Sequence, residues 1–316
     1  KITPFYPQYD CSTICYRLFL FFLQPKFFIM SLKIVVLAKQ VPDTRNVGKE
    51  AMRTDGTINR GALAAVFNPE DLNALEMALS IKDLCNAEVH VLTMGPPRAA
   101  EIVREAIFRG ADSGAVISDS RFAGSDTLAT SYALSMAIKK LGTVDLVLCG
   151  RQAIDGDTAQ VGPQVAEKLN IPQITYAEET LEVTPNTIVV KRRLENGIEV
   201  VKTTLPALIT VQSSAKSCRF RNALRVMKYK YATSLHEGRF ENVSTIFKSK
   251  DYLQIEEWNA EDINANPQRL GLLGSPTKVK NIESMVLAQK ESQMLSNSEV
   301  DLMTLTKDLM DTHILS

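Results

Sequence analysis

The stretch Val144-Asp145-Leu146-Val147-Leu148-Cys149-Gly150-Arg151-Gln152-Ala153-Ile154-Asp155-Gly156-Asp157-Thr158-Ala159-Gln160-Val161-Gly162-Pro163 decides the fold. Its apolar opening, Val144–Cys149, reads as a buried strand, and Thr158–Leu169 repeats apolar residues at three and four, as a helix does. The loop between them has glycines where the backbone must bend. It leads to helix amides that lack partners inside the helix and can seat a phosphate at the positive end of the dipole. Cys149, Gly150, Arg151, Gln152, Gly156, Asp157, Thr158, Ala159, Gln160, Val161 and Gly162 are therefore candidate nucleotide contacts. Asp155 and Asp157 would repel a phosphate, so they are expected to cap the helix, hold the loop or meet a ribose hydroxyl. Neither Gly-x-Gly-x-x-Gly nor Gly-Lys-Ser/Thr occurs, which leaves a generic dinucleotide fold and a P-loop without support.

The same alternation extends outward. Strands are expected at Leu32–Ala38, Glu88–Met94 and Gly114–Ser118, and helices at Pro69–Cys85, Pro96–Arg109 and Ser125–Leu141. This order predicts an α/β fold, a Rossmann-like, mostly parallel sheet with helices on both faces. After Ile171 the pattern changes: Thr187–Arg193 and Ile198–Thr203 flank Leu194-Glu195-Asn196-Gly197, whose Asn-Gly pair favours a tight hairpin. Pro206–Val211 adds a strand, so an antiparallel hairpin addition is expected. Beyond Ser214 periodicity fades, and from Lys278 the chain is polar with scattered apolar residues. The expected division is a nucleotide-binding domain over 30–214, a connecting segment over 215–277, and an extended C-terminal arm over 278–316 that packs on a partner subunit.

Composition narrows the function classes. In 316 residues, 36 Lys and Arg balance 36 Asp and Glu, so no global field draws in nucleic acid. Five cysteines (Cys11, Cys15, Cys85, Cys149 and Cys218) and three histidines show no metal-site spacing. Cys85 and Cys149 end apolar patterns and read as small buried hydrophobes, which suits a reducing, cytoplasmic compartment. Near the N-terminus the run Leu18–Leu23 is far shorter than the ~20 residues a membrane span needs, and no signal-type cleavage pattern follows. Met30 is the expected start, with residues 1–29 an upstream translated extension; a weak anchor is the alternative.

Other strand ends supply further candidates. Leu37, Ala38 and Lys39 close the first strand, and Thr93, Met94 and Gly95 run into Pro96. Each reads equally well as a plain strand-turn-helix. At Gly124–Thr130, Ser125 or Asp126 can cap a helix, while Thr127 and Thr130, one turn apart, can present hydroxyls to a phosphate or a flavin edge.

Taken in order, Ala38–Asp43, Asn68-Pro69, Met94-Gly95-Pro96 and Gly150–Asp155 resemble the motifs of electron-transfer flavoprotein beta subunits, from about Met30 to Gly274–Thr277. The hairpin at Val190–Thr210 is similar as well, except that Asn196 stands where an acidic residue or Gly is usual. The resemblance implies that Leu37–Lys39, Asn68, Thr93–Gly95, Asp126, Thr127, Thr130 and the Cys149–Gly162 loop bind a nucleotide cofactor. It implies an electron-transfer subunit of a flavoprotein complex rather than a stand-alone enzyme, with no catalytic base and no metal. Two types exist in the family. One binds AMP, with a more acidic loop that often reads Asn-Gln-Thr where this chain has Ala159-Gln160-Val161; the other resembles Asp155–Pro163 here and binds a second FAD in place of AMP. The second type implies electron bifurcation. NADH reduces the flavin, one electron goes to ferredoxin or flavodoxin, and the other passes through the alpha-subunit FAD to an acyl-CoA or hydroxy-acid dehydrogenase. Arg219–Lys228 reads equally as a solvated basic loop or, by the resemblance, as a recognition loop, with Leu224, Arg225 and Met227 meeting the dehydrogenase. The AMP-binding type is the nearest alternative, and a universal-stress-like nucleotide-sensing module is the alternative of another class.

Overall fold

The computed structural model describes residues 32–43, 64–238, 250–277, 294–311 and 314. The expected start at Met30, the extension at 1–29 and most of the expected arm's first half lie outside them. Strand β1 (Lys33–Leu37) is almost wholly buried, as a strand covered on both faces must be. Strands β4 (Glu88–Met94), β5 (Ser113–Ile117), β6 (Leu146–Gly150), β7 (Gln173–Val183), β8 (Thr187–Leu194), β9 (Gly197–Thr204), β10 (Ala207–Val211) and β11 (Glu256–Trp258) join it in one nine-stranded sheet. The order is β11-β5-β4-β1-β6-β10-β7-β8-β9, parallel as far as β7 and antiparallel through the β7-β8-β9 meander. β2 (Gln40–Pro42) and β3 (Ala65–Phe67) form a separate antiparallel pair. The α/β fold and the antiparallel hairpin are thus as the sequence pattern requires.

Helices cover both faces. Helix α1 (Pro69–Cys85) packs Ala74, Leu75, Ala78, Leu79 and Ile81 on one face, against Ile34, Val36, Val89, Leu146 and Ile209. Helix α2 (Ala100–Arg109) lies on the same side, led in by a 3-10 turn at Pro97–Ala99. Helices α3 (Thr127–Lys140) and α4 (Val161–Leu169) cover the other face, against Val35, Leu37, Val147 and Leu208. Because successive connections move from β1 to β4 and β5 on one side and then return to β6 on the other, the order reverses between β1 and β6. Ligands in open α/β sheets settle in the crevice at the carboxyl ends of such a pair.

Two departures carry physical reasons. The helix expected from Thr158 begins at Val161, because Asp157 and Ala159 both take positive φ (48° and 52°) and keep the chain out of the helix for three more residues. And the segment after Ser214, where no element is expected, returns to the body. Helix α5 (Ala223–Tyr229) docks beside α2, and β11 adds an edge strand that buries Trp258. Leu253, Ile255, Ile263 and Leu270 are buried with it. Trp258 stacks on His90 of β4, ring centroids 6.2 Å apart. Burial, with help from nearby Lys33, pushes the His90 imidazole down to about 4 and so keeps it neutral. Helix α6 (Glu299–Asp311) lies in the expected arm and buries no residue. Among the described residues no helix is long and apolar enough to cross a membrane.

Candidate functional site

Register puts Leu37 beside Leu92 on one side and Cys149 on the other, so the ends of β1, β4 and β6 line up at the switch point. Leu37 and Cys149 face the α3 and α4 side and are buried; Ala38, also buried, faces α1. Burial pushes the Cys149 thiol well above its usual range, which leaves it a packing group. The Ala38 amide donates to the Leu92 carbonyl at 2.9 Å, and the Gly95 amide to that of Ile117 at 3.1 Å, so the strand ends are fixed to one another. Met94 is half-buried against the α3 side.

The first turn of α1 ties this floor together. The Asp71 carboxylate accepts from the Lys39 amide at 2.9 Å and from the Gly150 amide at 2.8 Å, one oxygen for each strand end. Burial pushes Asp71 up to about 7, against the pull of those two amides toward the ionised form. Glu70 accepts from the Arg151 guanidinium at 3.0 Å and from the Gln152 amide at 3.1 Å. Asn68, wholly buried, donates to the Gln152 carbonyl at 2.9 Å and accepts from the Ile154 amide at 3.2 Å. A side chain at Gly150 would stand 2.5 Å from Asp71 and 2.8 Å from Glu70 backbone, so only glycine lets α1 approach this closely. Asn68 and Arg151, picked from the sequence as nucleotide contacts, thus brace the loop; Glu70 and Asp71 escaped notice because two acids in a first turn read as ordinary dipole partners.

The loop itself stands open. Asp155 pairs with Lys39 at 2.7 Å and Asp157 accepts from Gln152 at 2.8 Å, so both carboxylates hold the loop and neither caps α4. Nothing lies within 4 Å of a side chain built at Gly156. Gly162, in contrast, presses α4 onto the sheet: a Cβ there would meet Thr210 at 2.7 Å and Cys149 at 2.9 Å. The α4 start, with Gln160 at its N-cap and Val161 first, has no side-chain cap.

Helix α3 begins beside it but is closed. Asp126 accepts from the Leu128 and Ala129 amides at 2.9 and 3.0 Å and from the Thr277 hydroxyl at 2.7 Å. Burial opposes its ionisation, but those bonds outweigh it and hold the carboxyl below its usual range. Thr127 donates to Gln160 at 2.8 Å and bridges the two helix starts, while Thr130 is half-buried one turn on.

These residues fit a nucleotide cofactor on two observations. The Thr93 hydroxyl is fully buried at the end of β4 with no hydrogen-bond partner among the described residues, and such a group calls for one. Separately, the uncapped α4 amides and the open side at Gly156 leave a seat for phosphate oxygens at the end of β6. Leu224, Arg225 and Met227 lie elsewhere, on α5 beyond the C-terminal end of α2.

The electron transfer flavoprotein domain matches residues 55–230. The chain is 43% identical over 249 residues to the electron transfer flavoprotein subunit beta of Clostridium acetobutylicum, covering 79% of this chain and 86% of that one. It is 44% identical over 251 residues to the acryloyl-CoA reductase electron transfer subunit gamma of Anaerotignum propionicum, covering 78% and 86%. It is 43% identical over 249 residues to the caffeyl-CoA reductase-Etf complex subunit CarD of Acetobacterium woodii, again 78% and 86%. With a family domain spanning more than half of it and such relatives matched over most of their length, the chain belongs to the electron transfer flavoprotein family.

Proposed function

We propose that this chain is the beta subunit of a bifurcating electron-transfer flavoprotein. It would hold FAD, rather than AMP, at the carboxyl ends of β1, β4 and β6. The observation that carries the reading is the open loop at Gly156 leading to the uncapped start of α4, where a dinucleotide has room beyond its adenosine half. When bound, FAD supplies the redox chemistry, taking a hydride from NADH and releasing electrons one at a time. The chain's own share is placement. The α4 amides of Val161 and Gly162 would hold phosphate, the Thr93 hydroxyl would gain its missing partner, and the Asp71 brace keeps the strand ends at fixed spacing. Lys39, paired with Asp155, would fix the loop across the crevice mouth.

One electron would leave for ferredoxin or flavodoxin, the other through the alpha-subunit FAD to a dehydrogenase. Relatives named for acryloyl-CoA and caffeyl-CoA reduction support an acyl-CoA dehydrogenase over a hydroxy-acid one. A cytoplasmic setting accords with the free thiols of Cys85, Cys149 and Cys218. Denaturing the heterodimer with its alpha subunit and separating the released nucleotides tests the reading. Two FAD per heterodimer is the expected result; one FAD and one AMP would replace it with the conventional, non-bifurcating type.

A further inference from the structure

We propose that Arg109, Arg219 and Arg225 are positioning residues that fix the Phe220–Met227 segment onto α2 before any partner arrives. The proposal rests on reading that segment as the dehydrogenase-docking surface. Phe220, Leu224 and Met227 are 94%, 76% and 72% exposed, and α5 buries none of its residues. A helix of seven residues is too short to hold itself together. What holds it is the end of α2, whose last carbonyls have spare acceptor capacity; that of Ile107 takes only the Gly110 amide, at 3.2 Å, from its own chain end.

Arg225 Nε donates to the Ile107 carbonyl at 2.6 Å and its Nη2 donates to the Ala111 carbonyl. Between these two contacts the Asn222 amide donates to the Phe108 carbonyl at 2.9 Å. Arg109, the last residue of α2, donates to the Arg219 carbonyl. Arg219 is itself gripped by the buried Glu76 of α1, which accepts from both its amide and its Nε at 2.9 Å. The exit from the segment is pinned too: Arg104 and Glu237, each only 3% exposed, pair at 2.6 Å.

The Arg225 fork is thus spent on backbone carbonyls, Arg109 is shared between the Arg219 carbonyl and the Glu105 carboxylate, and the exposed Arg221 pairs with Glu105 as well, which leaves the apolar Phe220, Leu224 and Met227 as the most exposed large side chains of the segment. Positive charge at a helix C-terminus also favours this docking. A lysine at 225 could not reach two carbonyls with one planar fork. A docking segment that is already ordered gives up less freedom on association, so loss of a pin should weaken encounter with the partner and leave transfer within the complex alone.

The test uses the heterodimer with its alpha subunit, a purified acyl-CoA dehydrogenase as electron partner, and the variants Arg225→Gln, Arg225→Lys, Leu224→Ala and the Arg225→Gln/Leu224→Ala double. Arg225→Gln should raise KM for the dehydrogenase about tenfold, the equivalent of about 1.4 kcal/mol, with kcat and flavin content unchanged and Arg225→Lys in between. Amides of residues 222–229 should exchange hydrogen faster in Arg225→Gln. The double variant should be no worse than Leu224→Ala alone, since both act through one contact. An unchanged KM in Arg225→Gln with a raised KM in Leu224→Ala overturns the proposal, and so does an additive double variant, which would make Arg225 a direct contact. An unchanged KM in Leu224→Ala overturns the docking reading itself.

Discussion

Helices α3 and α4 begin side by side at the crevice, joined by the Thr127–Gln160 hydrogen bond, yet their first amides meet opposite fates. At α3, Asp126 fills the role a ligand anion would take, accepting from two amides of the first turn. At α4 no side chain does so, and the chain enters through two residues held at positive φ instead of through a cap. Holding Asp157 and Ala159 there costs about 1–2 kcal/mol each, and a fold that keeps such residues does so where the surroundings enforce them. The difference teaches that a helix start is a ligand seat only where the protein has left its amides to be satisfied from outside.

The strongest way to break the comparison is to remove the floor on which both helix starts rest. Asp71→Asn keeps the shape but replaces one acceptor oxygen by a donor, so the Lys39 or the Gly150 amide loses its partner. A loss of ~2 kcal/mol in denaturant unfolding at pH 5 is expected, with lowered flavin retention. The pH dependence has a definite sign. Asp71 stands at about 7 in the fold against 3.8 when exposed, so the fold binds its proton between those values and the stability from Asp71 falls as pH rises from about 4 to about 7. His90, pushed down to about 4, works the other way: its contribution is complete above about 6.5 and is lost as pH falls toward 4. The penalty of Asp71→Asn should therefore shrink between pH 5 and pH 8, and in the variant the His90 slope should show through as stability rising with pH. A penalty that stays flat over that range would mean that Asp71 is ionised throughout.

How much of this could be read in the sequence follows from the range of the forces involved. The main strands and helices from Leu32 to Leu169 were legible because burial on two faces leaves continuous apolar runs and helical packing leaves a three-four repeat; the β2–β3 pair was not, being three residues a strand. The loop at 150–163 was legible as the turn between β6 and the next helix for the same local reasons. The Asp71 bridge was not, since its partners lie 32 and 79 positions away and no local pattern records a long-range hydrogen bond. The α4 start was misplaced because Asp157-Thr158 is a good N-cap pair by residue type, while the positive φ values that delay the helix belong to Ala159 and Asp157, not to glycine. Strand β11 escaped because three residues, Glu256–Trp258, are too few to show a period, even though Trp258 is well buried.

A smaller effect sharpens the comparison from the α3 side. Asp126→Ala removes the cap and the bond to Thr277, and should cost ~1 kcal/mol in unfolding by denaturant. Flavin content should stay at the native level, because nothing of the cofactor is expected to rely on α3's amides. Loss of flavin at unchanged stability would move the phosphate seat to α3.

The most direct measurement copies the α3 arrangement onto α4. Gln160→Asp places a carboxylate at the N-cap of the uncapped helix, where it can accept from the Gly162 amide, the counterpart of the Leu128 amide that Asp126 holds; Pro163 offers no third donor. The dissociation constant for FAD, measured on the heterodimer after stripping and refilling the beta-subunit site, is the quantity to compare with the native protein. The expected result is binding at least tenfold weaker, ~1.4 kcal/mol or more, alongside a stability that is unchanged or ~0.5 kcal/mol higher. FAD binding as tight as in the native protein, with the new carboxylate in place, would contradict the claim that α4's open amides hold the cofactor.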